Sequence, residues 1–527
     1  MASPFTLTAF DRVALSIAPR WAMSRIRARV SAELMVRHFE AASTTRRTMG
    51  WTKRFTDANA ASGPYLANLR AHSRELIRNN GWARNARRVV NRNVVGYGIT
   101  PKPVDAPDPK ALMKAWKRWA GSTQCDAAER LTFTGLQKLW MSTIFESGEV
   151  LIRRRWRQPR DGMALPIALQ TLEPDHIDTS KHDIPGIQGG PTVYGVEFDA
   201  IGRRVAYWLF DEHPGSSRVI NPVSRRIDAR EIIHAYDLER AGQDRGIPWL
   251  CAAIVKLKDF DEFEDGELMK HKIAALLAGF IENDLDAAPV QVGAAGVAPG
   301  GSAGAPPVSV IEPGILQELK PGQKVSFTQP PSVTDDGFST RTLRYAAAAI
   351  GVTYEDLVGD YSQVNFSSAR MSRLAHWGNV YDWQYNMVIP QVCDPVWGWA
   401  MTAAALVGLA SADAPPSAEW TPMPMPMTEP DKEARANVIR IRSGQATLPQ
   451  VLREQGIDPD AFLEEYAAWN KKLDALGVWL DSDPRRVSQA GLTQERVGAG
   501  GGSGSGSDGA AADGSADGSG DAAGQGA

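Results

Sequence analysis

The apolar residues of this chain change period along its length, so neither an all-helical bundle nor an all-strand sandwich accommodates it. Leu66, Leu69, Leu76 and Ile77 recur at helical spacing. The run "RNNG" (Arg78–Gly81) is expected to break the helix, because Asn and Gly tolerate the left-handed conformation of a helix end. A second helix runs to about Val95, where Gly96 and Gly98 end it and Pro101 and Pro103 prevent its resumption. Thr134–Ser147 reads as another helix, closed by Gly148. Beyond it the period drops to two. "EVLIRRRW", "IALQTLEPDHID" and "AREIIHAYD" read as strands, and Val193–Phe210 alternates on both sides of a turn at Ala200–Arg203, a hairpin signal. Residues 130–237 therefore form an α+β unit with one sheet face buried.

Helical spacing returns over Pro248–Asn283, with Pro248 in a first turn and Leu250, Ile254, Leu257, Phe260 and Phe263 as the apolar stripe. This stretch is about three times the mean helix length, hence one long helix or two broken at Gly266. Gly293–Pro307 is a Gly/Ala/Pro loop. Residues 308–331 read as short strands punctuated by Pro-Gly turns, and another helix starts near 338. Val396–Ala412 is the most apolar run. It falls short of the roughly 20 residues needed to span a bilayer and contains two glycines, so it is expected as a buried helix. A Pro/Met linker then enters a three-helix module. Past Gln494 the chain is almost all Gly, Ser, Ala and Asp, which cannot bury enough surface to offset the entropy of ordering.

A chain of 527 residues is too long for one core. Its net charge is only −3, but the first 100 residues hold 17 Lys/Arg against 5 Asp/Glu, leaving 41 against 56 for the rest. Such asymmetry points to an arm or face meeting an anion, or to opposite charges meeting between subunits. Arg70, Arg74 and Arg78 share one helix face, and Arg84, Arg88 and Arg92 another, with Arg87 beside them. Their alternatives are ion pairing, within the fold or across subunits, and phosphate contact. Cys125, Cys251 and Cys393 are far apart, without a C-x-x-C, which fits buried thiols in a reducing compartment. The opening residues lack the pattern of a secretory signal.

Signatures of enzymes are missing from the sequence. It contains no G-x-x-x-x-G-K-[ST], no H-E-x-x-H, no Cys/His metal spacing and no EF-hand loop. His234, between apolar neighbours, reads as a core or sheet histidine rather than a general base. The sharpest constellation is "DFDEFEDGE", with Asp259, Asp261, Glu262, Glu264, Asp265 and Glu267. Such a density could hold Mg²⁺ for a nuclease. Metal sites usually draw ligands from separate elements, however, and these six lie on one helical stretch. A solvated or channel-facing helix is the preferred reading, with no catalytic residue, metal or cofactor expected.

Several stretches in order resemble one known family. They are the arginine block with "RNNGWARNARRVVNRNVVGYGI"; "GEVLIRRRW" with "LQTLEPDHID"; "REIIHAYDLERAGQDRGIPWL"; "PGILQELKPGQKVSFTQPP"; and "LRYAAAAIGVTYEDLVGDYSQVNFSSARMSRLAHW". Together they are similar to the portal (head–tail connector) proteins of tailed bacteriophages, specifically the lambda-type family. The resemblance implies an α+β multidomain subunit with wing, helical stem, clip, tunnel loop and helical crown. It implies a homo-oligomeric ring, usually of twelve copies, at one capsid vertex. Double-stranded DNA would pass its channel without sequence-specific contact. The packaging ATPase (terminase), capsid and head-completion proteins would dock on it. The protein would belong to the virion, and to the host cytoplasm during assembly, and would not enter a membrane. The expected divisions are an N-terminal arm (1–55), basic helices with a wing-like α+β region (56–245), a stem, clip and tunnel-loop region (246–337), wing-type helices (338–412), a crown-like module (413–494) and the tail (495–527). On this reading the acidic helix forms rings of carboxylates that repel DNA phosphates, and the arginines pair with a neighbouring subunit. Two rivals are a metal-dependent DNA-processing enzyme using residues 259–267 and a monomeric DNA-binding adaptor using the arginine helices.

Overall fold

The structure, a computed structural model, describes residues 55–158, 161–218, 220–275, 279–283, 323–327 and 337–478, with Met23 and Leu480. The loop expected at Gly293–Pro307, the strands expected over 308–331 apart from 323–327, and the tail past Gln494 lie outside these residues. The chain divides into two compact units between Asp431 and Lys432.

The first unit opens with α1 (Leu66–Asn79) and α2 (Gly81–Val94). The break between them has a different cause from the one its sequence suggests. Asn80 is extended (φ −96°, ψ 126°), not left-handed, and its side chain accepts from the Ala83 N–H at 2.8 Å to cap α2. β1 (Thr100–Val104), α3 (Pro109–Ala120) and α4 (Phe133–Ser147) follow. Then come β2 (Glu149–Trp156), β3 (Ile167–Leu172), β4 (Ile184–Pro185), β5 (Gly189–Val193), β6 (Val196–Asp199), β7 (Arg204–Phe210), β8 (Ser224–Asp228) and β9 (Ile232–Tyr236). The expected hairpin is β6–β7. Two antiparallel sheets result, one of order β3–β2–β9 and one running β4 to β8 in sequence.

Residues 248–283 do not form a helix throughout. Pro248–Ala253 is a series of turns, and α5 runs Ile254–Ala275, unbroken at Gly266. β10 (Gly279–Asn283) then pairs antiparallel with β11 (Gln323–Phe327), so those backbone groups bond across a ladder instead of along a helix. α6 (Phe338–Ile350) and α7 (Tyr354–Val358) precede a long helical path. It comprises α8 (Phe366–Asp382), a π-helical stretch at Trp383–Cys393 and α9 (Asp394–Leu406). Pro390 lies in the π stretch, where the wider winding accommodates a residue with no N–H to donate. From this stretch Gln384 donates to the Val94 carbonyl at 2.9 Å, satisfying the end of α2. α9 buries Val396, Trp397, Ala400, Met401, Ala403 and Ala404, as a core helix does. No helix among the described residues is long and apolar enough to cross a membrane. β12 (Ser417–Thr421) pairs with β1, which ties part of the stretch assigned to the crown-like module back into the first unit.

The main core joins α2, α3, α4, β2 and α9. At its centre Trp116 meets Trp119, Phe133 and Trp397, with ring centroids 5.0–5.2 Å apart. A smaller core, with Leu151, Leu172, Ile177, Val196, Tyr207, Leu209 and Ile232, lies between the two sheets. The second unit holds the helices α10 (Pro430–Arg442, whose first turn precedes the boundary), α11 (Leu448–Glu454) and α12 (Pro459–Leu476).

Candidate functional site

The helix α1 turns its first arginine inward. Arg70 is 3% exposed, 3.3 Å from Glu149 and 3.4 Å from Asp175. Arg74 pairs with Glu173 at 2.9 Å and with Asp175 at 2.5 Å. Arg70 is thus not available to a neighbouring subunit or to a phosphate, against the expectation for that face. The helical spacing was read correctly. What it could not show is that β2 and the loop after β3 bring carboxylates against this side of α1.

Glu149 is the centre of the arrangement and is fully buried. It accepts from Arg245 Nη2 at 2.6 Å, from the Gly246 N–H at 2.8 Å and from His234 Nε2 at 2.9 Å. Burial pushes this carboxyl up, but the Arg245 charge and the His234 hydrogen bond outweigh it and hold it well below its ordinary range. An ionised Glu149 only accepts, so His234 carries its proton on Nε2, leaving Nδ1 to accept from the Tyr207 hydroxyl at 3.4 Å. Burial lowers the pKa of His234, which favours this neutral form, and raises that of Tyr207. Arg70, Arg74 and Arg245 balance Glu149, Asp175 and Glu173 in charge. One donor of the network, Arg70 Nε, is buried without a hydrogen-bond partner, 3.4 Å from Asp175. Two glycines make the network possible. Gly148 has φ +88°, and a Cβ there would stand 2.4 Å from the Ile247 backbone; a Cβ on Gly246 would stand 2.2 Å from the Gly148 carbonyl oxygen.

The remaining arginines stay outside. Arg87 pairs with Glu146 at 2.9 Å and Arg92 with Asp356 at 3.3 Å. Arg78, Arg84 and Arg88 are exposed and make no ion pair with a described residue. At about 100° per residue the six acids of α5 fan around its whole circumference instead of sharing a face. Asp261 turns inward and accepts from Asn80 Nδ2 at 2.6 Å, while Asp259, Glu262 and Asp265 lie along one exposed strip. Burial and the neighbouring acids Asp265 and Glu75 raise the pKa of Asp261, even though the Asn80 hydrogen bond acts the other way. The carboxylates of α5 do not converge as metal ligands do. Among the described residues one such convergence exists, Glu173 with Asp175 and His213, and Arg74 already bonds both of its acids.

The family model described as "Phage portal protein, lambda family" matches residues 44–384, more than half of the chain. The chain belongs to that family. A probable portal protein of Halomonas phage phiHAP-1 is 28% identical over 476 residues, covering 84% of this chain and 88% of its own. Portal protein B of Escherichia phage lambda is 24% identical over 388 residues, covering 62% and 67%. Among solved structures, a chain from the virion of a native gene transfer agent particle is 15% identical, with a TM-score of 0.43, covering 75% of this chain and 94% of its own. A chain from the neck of the native particle, computed with C12 symmetry, is 14% identical with the same TM-score, covering 73% and 90%. The lambda-family portal proteins are structural components, not enzymes, and this chain is one of them.

Membership in the portal family fits the interior just described. Three of the five stretches that carry the sequence resemblance each place charged residues in the Glu149 network: Arg70 and Arg74; Glu149 with Asp175; and His234 with Arg245. Sequence reasoning missed Glu149 and Arg245. The available signal was a lone acid between Gly148 and "VLI", and "RGIP" just after a buried strand.

Proposed function

We propose that copies of this portal-family chain close into a ring at one vertex of a phage capsid, and that viral DNA passes the axial channel during packaging and ejection. The match to the lambda portal family over residues 44–384 carries this reading. The ring has about a dozen subunits and serves as the platform for the packaging ATPase and then for head-completion proteins. It works in the virion after assembly in the host cytoplasm.

Two surfaces support the reading. Among its described residues the second unit buries few: α10 has no buried residue, and Ile439, Leu463, Trp469 and Leu476 are exposed. Neighbouring copies in a ring would cover these apolar side chains. In the first unit the unpaired Arg78, Arg84 and Arg88 supply subunit contacts, while Asp259, Glu262 and Asp265 give the channel wall its negative strip. Phosphates are repelled from such a wall, so the duplex slides without sticking. Negative-stain imaging and native mass measurement of the full chain test the proposal. A ring with a central hole is the expected result, and a compact monomer that cleaves DNA with Mg²⁺ would overturn it.

A further inference from the structure

Strand β2 carries a second run of charge, distinct from the network at its buried end. Side chains alternate along a strand, so Leu151, Arg153 and Arg155 share a face, of which Leu151 is buried in the smaller core while the arginines lie toward the more exposed end, and Arg157 continues the alternation just past the strand. All three arginines are half-buried, and none makes an ion pair with a described residue. Arg153 Nε is buried without a hydrogen-bond partner, and Arg155 Nε donates to Gln170 at 2.8 Å. The acids near Arg155 are Asp211 and Glu231, and Arg225 already holds Asp211 at 2.9 Å. Arg155 thus shares Asp211 with Arg225. Burial and the adjacent Arg153 and Arg157 lower the pKa of Arg155, the signature of like charges held together. On the opposite face Arg154 lies over Trp156 and Trp399, at 5.3 and 5.8 Å, and so does not belong to the row.

We propose that Arg153, Arg155 and Arg157 form a phosphate-tracking stripe that binds the backbone of double-stranded DNA. Alternate residues of a strand repeat at about 6.7 Å, a spacing suited to successive phosphates along one strand, and the planar guanidinium fork grips phosphate in two-pronged fashion. An acidic peptide is the poorer fit. β2 is the central strand, flanked by β3 and β9, so it has no open backbone edge to which a peptide strand could add. The stripe reads charge alone and therefore holds DNA without regard to sequence. The inference rests on the proposed function only for the source of the DNA.

The test measures binding of a labelled blunt duplex by the full-chain assembly across a salt series. It compares the native chain with Arg153→Gln/Arg155→Gln/Arg157→Gln and with Lys114→Gln/Lys117→Gln/Arg118→Gln, which removes three charges from the exposed side of α3. The stripe variant is expected to lower the slope of log affinity against log salt by about 2–3, at ~0.9 per phosphate contact. The α3 variant is expected to keep the native slope. Equal losses in both variants, or no loss in the stripe variant, overturn the proposal. Loss of poly-glutamate binding with DNA binding intact also overturns it, and assigns the row to an acidic protein. If the triple variant does not fold, Arg157→Gln alone must lower the slope by about 1, and an unchanged slope is fatal. Imaging the same samples separates the two readings, since intact rings that have lost the salt slope affect only the stripe.

Discussion

Glu149 carries the largest single-residue consequence in the subunit. Replacing it with Gln leaves Arg245 buried without its counter-charge and Arg70 with Asp175 alone, which costs about 3–5 kcal/mol. Chemical denaturation of the Glu149→Gln protein should show that loss, with Arg74→Gln, on a half-exposed pair, much milder. The same network sets the response to acid. Burial holds the pKa of His234 below 6.5, so under that pH the unfolded chain takes up a proton that the folded chain refuses, and stability falls as pH drops. His176 and His376, lowered by burial too, act in the same window. The depressed pKa of Glu149 adds a second loss once pH passes below 4.5, where the unfolded carboxyl protonates first. Melting temperatures from about pH 8 to about pH 4 should decline in these two stages. His234→Gln should flatten the first, and a profile unchanged by that substitution would refute the assignment. Of this site the sequence showed Arg70, Arg74 and His234 as residues of interest. It did not show that they meet, because their carboxylate partners lie 79 or more positions away and the pairing exists only once β2, β3 and β9 are in register.

Among the elements, α5 shows how far periodicity reaches. Its apolar stripe, Ile254, Leu257 and Phe260, was legible and is buried. Its start was not, because turns at Pro248–Ala253 satisfy the same apolar spacing while placing the Gly246–Ile247 backbone beside Gly148. The six acids separate by role once the helix is wound. Asp261 is tied to Asn80, whereas Asp259, Glu262 and Asp265 face out. Changing those three to Asn or Gln should leave folding intact or slightly improved, because it removes like-charge repulsion of a few tenths of a kcal/mol per pair. Packaging or ejection should slow, as neutral walls no longer repel phosphates. Thermal melts with and without Mg²⁺ discriminate further: a metal-dependent shift abolished by the substitutions would revive a metal site.

At the scale of the whole molecule, the charge asymmetry resolves into two parts. Some of the early arginines are balanced inside the subunit by Glu149, Asp175, Glu146 and Asp356. Arg78, Arg84 and Arg88 make no ion pair with a described residue and, in the proposed ring, meet a neighbouring copy. Changing these three to Glu should reduce the ring population at moderate salt. Native rings should also loosen as salt rises, since exposed pairs are screened within roughly 10 Å at 0.1 M. Size-exclusion profiles across a salt series read both effects. A triple variant that assembles normally but loses DNA would transfer these arginines to the phosphate role.

The sequence alone determined the α+β class, the β6–β7 hairpin, a buried helix within Val396–Ala412 (it ends at Leu406, and Leu406 and Val407 are exposed) and, through the order of its motifs, the family. These are local or near-local properties: a period, a turn, a run of apolar residues. The tertiary structure decided which charges are spent inside the subunit. Periodicity puts Arg70 and Arg78 on one face of α1, but only the packing of β2 and the loop after β3 buries the first and leaves the second in water. It also placed β12 against β1, and set the boundary of the last unit at Lys432. Pairing between distant strands depends on the register of elements far apart in the chain, and no window of neighbouring residues contains that information.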